Sequence, residues 1–196
     1  MAINSYYSNI RRDTKFLWAE KTILKRPSAS YKSDILRLAI SIAVPLIAGV
    51  IGSIFTSQSV STWYQTIEKP SFSPPNWLFG PVWTTLYVMM GISLFLIWRA
   101  TDSTSFPKYR RTRKVAAFIA FGIQLILNVL WSFLFFGLRS PQLAFVEIII
   151  LLISIVATIV IFSRISKLAA ILMVPYAGWV TSASFLNLQI WLLNPS

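Results

Sequence analysis

KPSFSPPNWLFGPVWTTLY, residues 69–87, decides how this chain folds, because a proline-rich loop turns within it into a long apolar helix. Each proline fixes its own φ and disfavours helix in the residue before it, so Pro70, Pro74 and Pro75 predict an extended loop. The apolar run that follows continues to Trp98, and its length matches the roughly 20 residues that cross a bilayer. The stretch therefore predicts a loop at a membrane surface that leads directly into a membrane-spanning helix.

The whole chain has the composition of an integral membrane protein. Of its 196 residues 56% are hydrophobic and only 12% are charged, whereas soluble domains carry about 25% charged residues. Apolar spans are predicted at about 36–56, 77–98, 115–136, 142–162 and 168–193. We therefore expect an all-α integral membrane protein, a bundle of five transmembrane helices over residues 35–196. Residues 1–34 form a basic extension, either an amphipathic helix on a charged membrane surface or a disordered tail.

The basic residues are distributed unequally between the two sides of the predicted bundle. Sixteen of the 18 Lys and Arg residues fall on the side of the N-terminus, and only Lys69 and Arg139 fall on the other side. By the positive-inside rule, this predicts a cytoplasmic N-terminus and a C-terminus on the far side of the membrane. Because these charges flank apolar spans, anionic lipid headgroups are a better partner for them than nucleic acid.

The chain contains no cysteine and no histidine. This composition excludes disulfides, thiolate metal sites and imidazole bases. The sequence also shows no base–nucleophile pair and no glycine loop that could hold a phosphate. We therefore predict no metal site and no required cofactor, and we expect binding rather than catalysis.

Aromatic and amide side chains recur at helical spacing on three of the predicted spans. They are Trp83, Tyr87 and Met90 on the second span, Gln124, Asn128 and Trp131 on the third, and Trp179, Ala183, Leu186 and Asn187 on the fifth, with Tyr176 beside them. Amides in a bilayer need hydrogen-bond partners and therefore tend to face the bundle interior. The stripes are typical either of helix packing or of a ligand pocket. The pocket is favoured, because aromatic walls with few polar groups suit a large, flat, apolar ligand.

Glu147 is the only acidic residue inside a predicted span. Intramembrane carboxyl groups are costly, so they mark either a functional site or a close structural partner. A proton site or a hydrogen bond to a ligand is one interpretation. The favoured interpretation is structural, either a tie to an Asn, Gln or Tyr side chain on a neighbouring helix or a position from which the carboxyl group reaches the membrane surface.

Small residues recur four positions apart on two of the spans. Ala48 with Gly52 on the first span, and Ala116 with Ala120 on the third, are faces on which helices can approach closely. They predict a homodimer contact or, alternatively, close packing within one bundle.

Several motifs together resemble the TspO/MBR family, also known as translocator protein, tryptophan-rich sensory protein or peripheral benzodiazepine receptor. The motifs are WYQTIEKPSFSPPNWLFGPVWTTLY, QLILNVLWSFLFFG, VPYAGW and the LN pair of the last span, in family order over about residues 36–194. The resemblance implies a five-helix bundle, often dimeric, that binds porphyrins, sterols and drug-like ligands in an internal pocket. It also implies an association with tetrapyrrole handling, stress response and lipid or sterol transport.

The resemblance implies a membrane receptor or transporter-like protein with a protoporphyrin-like ligand. The implied ligand-binding residues are Trp83, Tyr87, Asn128, Trp131, Leu143, Val146, Ile150, Trp179, Ala183, Leu186 and Asn187. The implied lid over the pocket is formed by Trp63, Pro74 and Pro75.

The resemblance also implies two alternatives to plain binding of a porphyrin. One is light- and oxygen-dependent porphyrin degradation with Trp83 and Trp179 as candidate catalytic residues, and the other is a lipid or sterol carrier. The family's sterol motif places Tyr and Arg where this chain has Leu188 and Leu192, which argues against specific cholesterol recognition. Because the chain lacks histidine, imidazole ligation of haem iron is excluded, and a metal-free porphyrin fits better than haem.

Overall fold

The fold is a bundle of long helices, seen in a computed structural model that describes residues 31–102 and 107–195. Within these ranges the chain forms α1 (Tyr31–Val60), α2 (Trp63–Thr66), α3 (Asn76–Asp102), α4 (Pro107–Ser132), α5 (Pro141–Ser163) and α6 (Lys167–Leu193). A π-helical turn, Phe133–Gly137, continues α4. Of the helices in the described residues, five are long and apolar enough to cross a membrane, all except α2. The chain is therefore a multi-pass integral membrane protein, as the sequence predicts.

The predicted spans are confirmed, and two of their boundaries need correction. α1 begins at Tyr31, so the last residues of the predicted extension, 31–34, are helical. α4 begins at Pro107 rather than near residue 115, because its Lys- and Arg-rich first turns are polar but form helix well. The amphipathic helix considered for the extension would involve residues 1–30, which lie outside the described residues.

Serine caps set the sharp starts of the last two spans. Ser140 Oγ accepts a hydrogen bond from the backbone N–H of Leu143 at 3.4 Å, and Pro141 occupies the first helical position of α5. Ser166 Oγ caps α6 in the same way through Ala169 N–H at 3.3 Å. These caps allow short turns, so α4, α5 and α6 follow one another as antiparallel neighbours.

Two ends of the bundle can be distinguished by their contacts. At one end, called the loop end, the side chain of Asn194 after α6 bonds the backbone of Glu68 in the loop between α2 and α3. Ser59 Oγ near the end of α1 donates to the Phe136 carbonyl there at 2.6 Å. At the opposite end, called the basic end, Arg113 in α4 donates to the carbonyl of Arg164 after α5 at 3.1 Å.

Glycine lets α1 lie close against the bundle. A Cβ atom at Gly91 of α3 would lie 2.8 Å from the carbonyl oxygen of Ser41, and one at Gly49 would overlap the ring of Tyr87. Ala48 and Gly52 are buried on the same side of α1, so packing within one bundle is confirmed for this small-residue pair. A homodimer contact through α1 stays a prediction.

The second small-residue pair, on α4, is less buried than the pair on α1. Ala116 faces outward from α4, and Ala120 is half-buried. A homodimer contact through this pair stays a prediction.

Candidate ligand-binding site

A chain of hydrogen bonds joins the inward stripes of three helices. The hydroxyl of Tyr87 on α3 donates to Asn128 Oδ1 on α4 at 2.7 Å. Asn128 Nδ2 in turn donates to the hydroxyl oxygen of Tyr176 on α6 at 3.2 Å. All three side chains are buried, so the prediction that they face the bundle interior is confirmed. The network satisfies amide and phenol groups that would be costly in an apolar interior.

A second polar link lies nearer the loop end. Trp131 Nε1 on α4 donates to Asn187 Oδ1 on α6 at 3.1 Å. Asn187 Nδ2 then donates to the carbonyl oxygen of Pro141, the first residue of α5, at 2.7 Å. The side chain of Asn187 thus links α4, α5 and α6 by hydrogen bonds. Its amide, like that of Asn128, is already hydrogen-bonded within the protein.

Trp83 packs into this network through its ring. Its indole stacks on Tyr87 at a centroid distance of 5.4 Å and meets Tyr176 edge to face at 6.1 Å. Both distances fall within the range of favourable aromatic pairs. Trp83 therefore supports the buried phenols and lies half-buried between α3 and α6.

An apolar cavity of about 450 Å³ lies between α3, α6 and the loop that precedes α3. This volume is within the usual range for small-molecule sites. Two aromatic pairs occur among its lining residues, Phe72 stacked on Phe185 at 5.7 Å and Phe79 edge to face with Trp179 at 6.1 Å. The full lining is Phe72, Pro74, Phe79, Trp179, Thr181, Ser182, Ala183, Phe185 and Leu186.

The cavity has few polar groups to offer a ligand. Its two hydroxyl side chains, Thr181 and Ser182, donate to carbonyls of their own helix at 2.8 and 3.1 Å. No charged residue is among the lining residues. A bound molecule would therefore meet mainly aromatic and aliphatic carbon.

The structure gathers only part of the predicted site around this cavity. Pro74, Trp179, Ala183 and Leu186 line it. Trp83, Tyr87, Asn128, Trp131 and Asn187 lie in the bonded interior described above and are not among the residues that line it.

Three predicted residues lie on the opposite side of their helix from the interior. Leu143, Val146 and Ile150 are 52%, 58% and 52% exposed on the outer face of α5. The reason is that α5 buries the face that carries Ala144 and Glu147. The expectation that these three share one pocket with Trp179 is thus not met within a single chain, and their role in binding stays a prediction.

The predicted lid residues have different surroundings. Pro74 borders the cavity, whereas Pro75 is exposed just before α3. Trp63 lies against Phe135 of the π-helical turn at 5.7 Å, within an aromatic cluster at the loop end. Trp63 therefore anchors the start of the loop and is not among the residues that border the cavity.

Two side chains, Lys69 and Asn194, hold the loop around Glu68 in place. Lys69 Nζ donates to the carbonyl oxygens of Tyr64 and Ile67 and lies 4.8 Å from the centroid of the Tyr64 ring. Burial raises the pKa of the Tyr64 phenol, which therefore stays neutral beneath this cation. Asn194 holds the backbone of Glu68 from the other side.

Sequence reasoning missed three of the aromatic residues that line the cavity, Phe72, Phe79 and Phe185. Phe79 lies four residues before Trp83 and continues the stripe of α3, so its spacing was a usable signal. Phe72 and Phe185 carry no such signal, because one lies in the loop and the other lies off the inward stripe of α6.

Glu147 and Gln124 are buried without hydrogen bonds. Glu147 is 4% exposed and Gln124 is fully buried, and no polar atom of either side chain has a partner among the described residues. The favoured interpretation of Glu147 as a hydrogen-bonded tie to a neighbouring helix is therefore wrong. Helix α5 places it inward simply because it shares a face with Ala144, Ile148 and Leu151.

These features define a five-span integral membrane protein with a tryptophan-containing interior. Residues 41–192 match the TspO/MBR family, and the chain belongs to that family. It is 48% identical to the tryptophan-rich protein TspO of Archaeoglobus fulgidus over 82% of this chain and 99% of that protein. It is 36% identical to protein CrtK of Rhodobacter capsulatus over 76% of this chain and 86% of that protein. Identity to the human translocator protein is 33%, over 75% of this chain and 83% of the relative.

Proposed function

We propose that the protein is a membrane receptor or transporter-like protein that binds porphyrins and related flat apolar ligands in the cavity between α3 and α6. The observation that carries the proposal is the pair of aromatic contacts at this cavity, Phe72 with Phe185 and Phe79 with Trp179. Aromatic faces stack favourably on flat rings, and a lining with few polar groups suits an apolar ligand. The ligand supplies its own chemistry, and no cofactor is needed to hold it.

The two predicted tryptophans have different roles in this proposal. Trp179 lines the cavity and contacts the ligand, whereas Trp83 supports the wall through Tyr87 and Tyr176. Because no cation lines the cavity among the described residues, the carboxylates of a porphyrin face its opening rather than its interior. The name of the human relative, translocator protein, agrees with a transport role.

A fluorescence titration with protoporphyrin tests the proposal. We expect saturable quenching of tryptophan fluorescence in the wild type and about fivefold weaker binding in Trp179→Leu, since an aromatic contact contributes on the order of 1 kcal/mol. Trp77→Leu is the matched control, because Trp77 is exposed at the start of α3 and does not line the cavity. Linear, non-saturating quenching that is equal in all three proteins would show partitioning into the membrane and reject the proposal.

Light- and oxygen-dependent degradation of the porphyrin is a second candidate function. It is favoured by the position of Trp179 at the cavity, with Trp83 stacked on the hydrogen-bonded Tyr87 deeper in the bundle. Illumination in air should then remove porphyrin absorbance faster in the wild type than in the Trp83→Phe/Trp179→Phe variant. Equal loss in both would be ordinary photobleaching. Displacement of the porphyrin by a sterol would instead support the lipid or sterol carrier.

A further inference from the structure

A second cavity lies on the outside of the bundle, between α1 and α4. It is an open groove of about 580 Å³, and the described residues that line it are all hydrophobic. From α1 they are Val44, Ile47, Ala48, Ile51 and Phe55, and from α4 and the turn after it they are Leu125, Ile126, Val129, Leu130 and Phe133. Both helices are membrane-spanning, so the groove faces the hydrocarbon of the bilayer.

Two cations, one from each of these helices, lie near the same indole ring towards the basic end. The Arg37 guanidinium of α1 lies 5.7 Å from the centroid of the Trp98 ring, and Lys114 Nζ of α4 lies 5.4 Å from it. Phe118 packs edge to face on Trp98 at 5.7 Å and supports its position. Each cation gains from its contact with the indole ring, and the two contacts place both positive charges towards the basic end of the bundle.

The cation pair and the groove lie along one line of the surface. Arg37 precedes Val44 by seven residues on α1, which is about 10 Å at 1.5 Å per residue. A molecule with an anionic head at Trp98 and a long apolar tail would therefore occupy both features. The anion would form charge-assisted hydrogen bonds with Arg37 and Lys114, and the tail would cover the apolar lining.

We propose that Arg37, Lys114 and the groove between α1 and α4 form a binding site for one anionic phospholipid. Its phosphate lies between the two cations, and one acyl chain runs along the groove towards the loop end. A second copy of the chain is a poorer occupant, because a two-fold contact between parallel copies would bring two such cation pairs together. The proposal does not depend on what the cavity near Trp179 binds.

Lipid retention measured by native mass spectrometry tests the proposal. The full chain is extracted from nanodiscs made of phosphatidylcholine with a minor fraction of phosphatidylglycerol, and bound lipids are counted. We expect preferential retention of phosphatidylglycerol and a loss of about 30-fold in that preference in Arg37→Gln/Lys114→Gln, as two basic residues near an anionic headgroup provide. The charge-preserving pair Arg37→Lys/Lys114→Arg should retain the lipid.

The matched control removes two charges from the same helices without touching the site. Lys32 and Arg111 are exposed near the starts of the two spanning segments, and Lys32→Gln/Arg111→Gln should keep the preference. Equal loss in both charge-removing pairs would mean diffuse surface attraction and overturn the proposal.

A larger side chain placed in the groove provides an independent test of the proposal. Ile51→Trp should lower retention of phosphatidylglycerol while leaving the helical circular dichroism unchanged. If Ile51→Trp changes the oligomeric state and leaves lipid retention intact, the groove is a contact between copies and the proposal is wrong.

Discussion

Replacement of Asn194 by alanine should release the loop that borders the cavity. The Asn194 side chain accepts a hydrogen bond from Glu68 N–H at 3.0 Å and donates one to the Glu68 carbonyl at 2.9 Å. The same amide also donates to the carbonyl of Ile190 at 2.8 Å, which fixes its orientation at the end of α6. Alanine removes both bonds to the loop and leaves the helix core untouched.

The size of the effect follows from the two lost bonds. A hydrogen bond of this kind contributes roughly 1 kcal/mol net, so the free energy of opening the loop should fall by about 2 kcal/mol. That change raises the population of the open loop about 30-fold, while global stability changes little because loops open locally.

A single introduced thiol can measure this opening, because the chain contains no cysteine. Ser73 is suitable, since its side-chain oxygen is buried within the loop. When opening and closing are fast, the rate of maleimide labelling of Ser73→Cys reports the open population. We expect labelling to be about 30-fold faster in the Asn194→Ala background. Asn76→Ala, at the exposed first residue of α3 just after the loop, should leave the rate unchanged. Equal rates in the Asn194→Ala and Asn76→Ala backgrounds would refute the role assigned to Asn194.

Three further substitutions test how the helices are held together, each by chemical unfolding in detergent micelles. Gly91→Ala should destabilise the fold by about 1–3 kcal/mol, because its Cβ would press on the backbone of Ile42. Gly80→Ala on the same helix, with open space around its Cβ, should be neutral or stabilising; equal effects would contradict the close-approach argument. Asn128→Leu removes two interhelical hydrogen bonds and should cost about 1–3 kcal/mol, and an unchanged midpoint would disprove their contribution. Glu147→Gln should leave stability equal or higher, since its carboxylate oxygens have no hydrogen-bond partner among the described residues. A loss above about 2 kcal/mol would reveal an ionic partner.

The membrane-spanning helices could be read from the sequence because span length and apolar composition are local properties. The inward direction of Tyr87 and Asn128 was also predictable, since an amide in a bilayer must find a partner and helical spacing shows which face it occupies. The partners themselves were not predictable, because hydrogen bonds between helices depend on how the helices rotate against one another.

The residues that line the cavity were likewise only partly predictable from the sequence. Trp179, Ala183 and Leu186 follow the stripe of α6 and were found by spacing, whereas Phe185 borders the cavity from beside that stripe. Leu143, Val146 and Ile150 were placed in the pocket by resemblance, but α5 turns them outward. The sequence thus predicts the inward face of each helix, whereas the opening between α3, α6 and the loop depends on tertiary packing.

The hydrogen bonds that the two asparagine side chains already make within the protein affect which ligands the cavity can select. Asn128 and Asn187 were expected to bind a ligand, but their side chains are already hydrogen-bonded to Tyr87, Tyr176, Trp131 and the carbonyl of Pro141. A ligand that took over one of these bonds would leave another buried group without a partner, so it would gain little net free energy. Selection in the cavity must then come from shape and aromatic stacking. Such contacts distinguish similar ligands by only about 1–3 kcal/mol, so the proposed site should accept several flat apolar molecules rather than one.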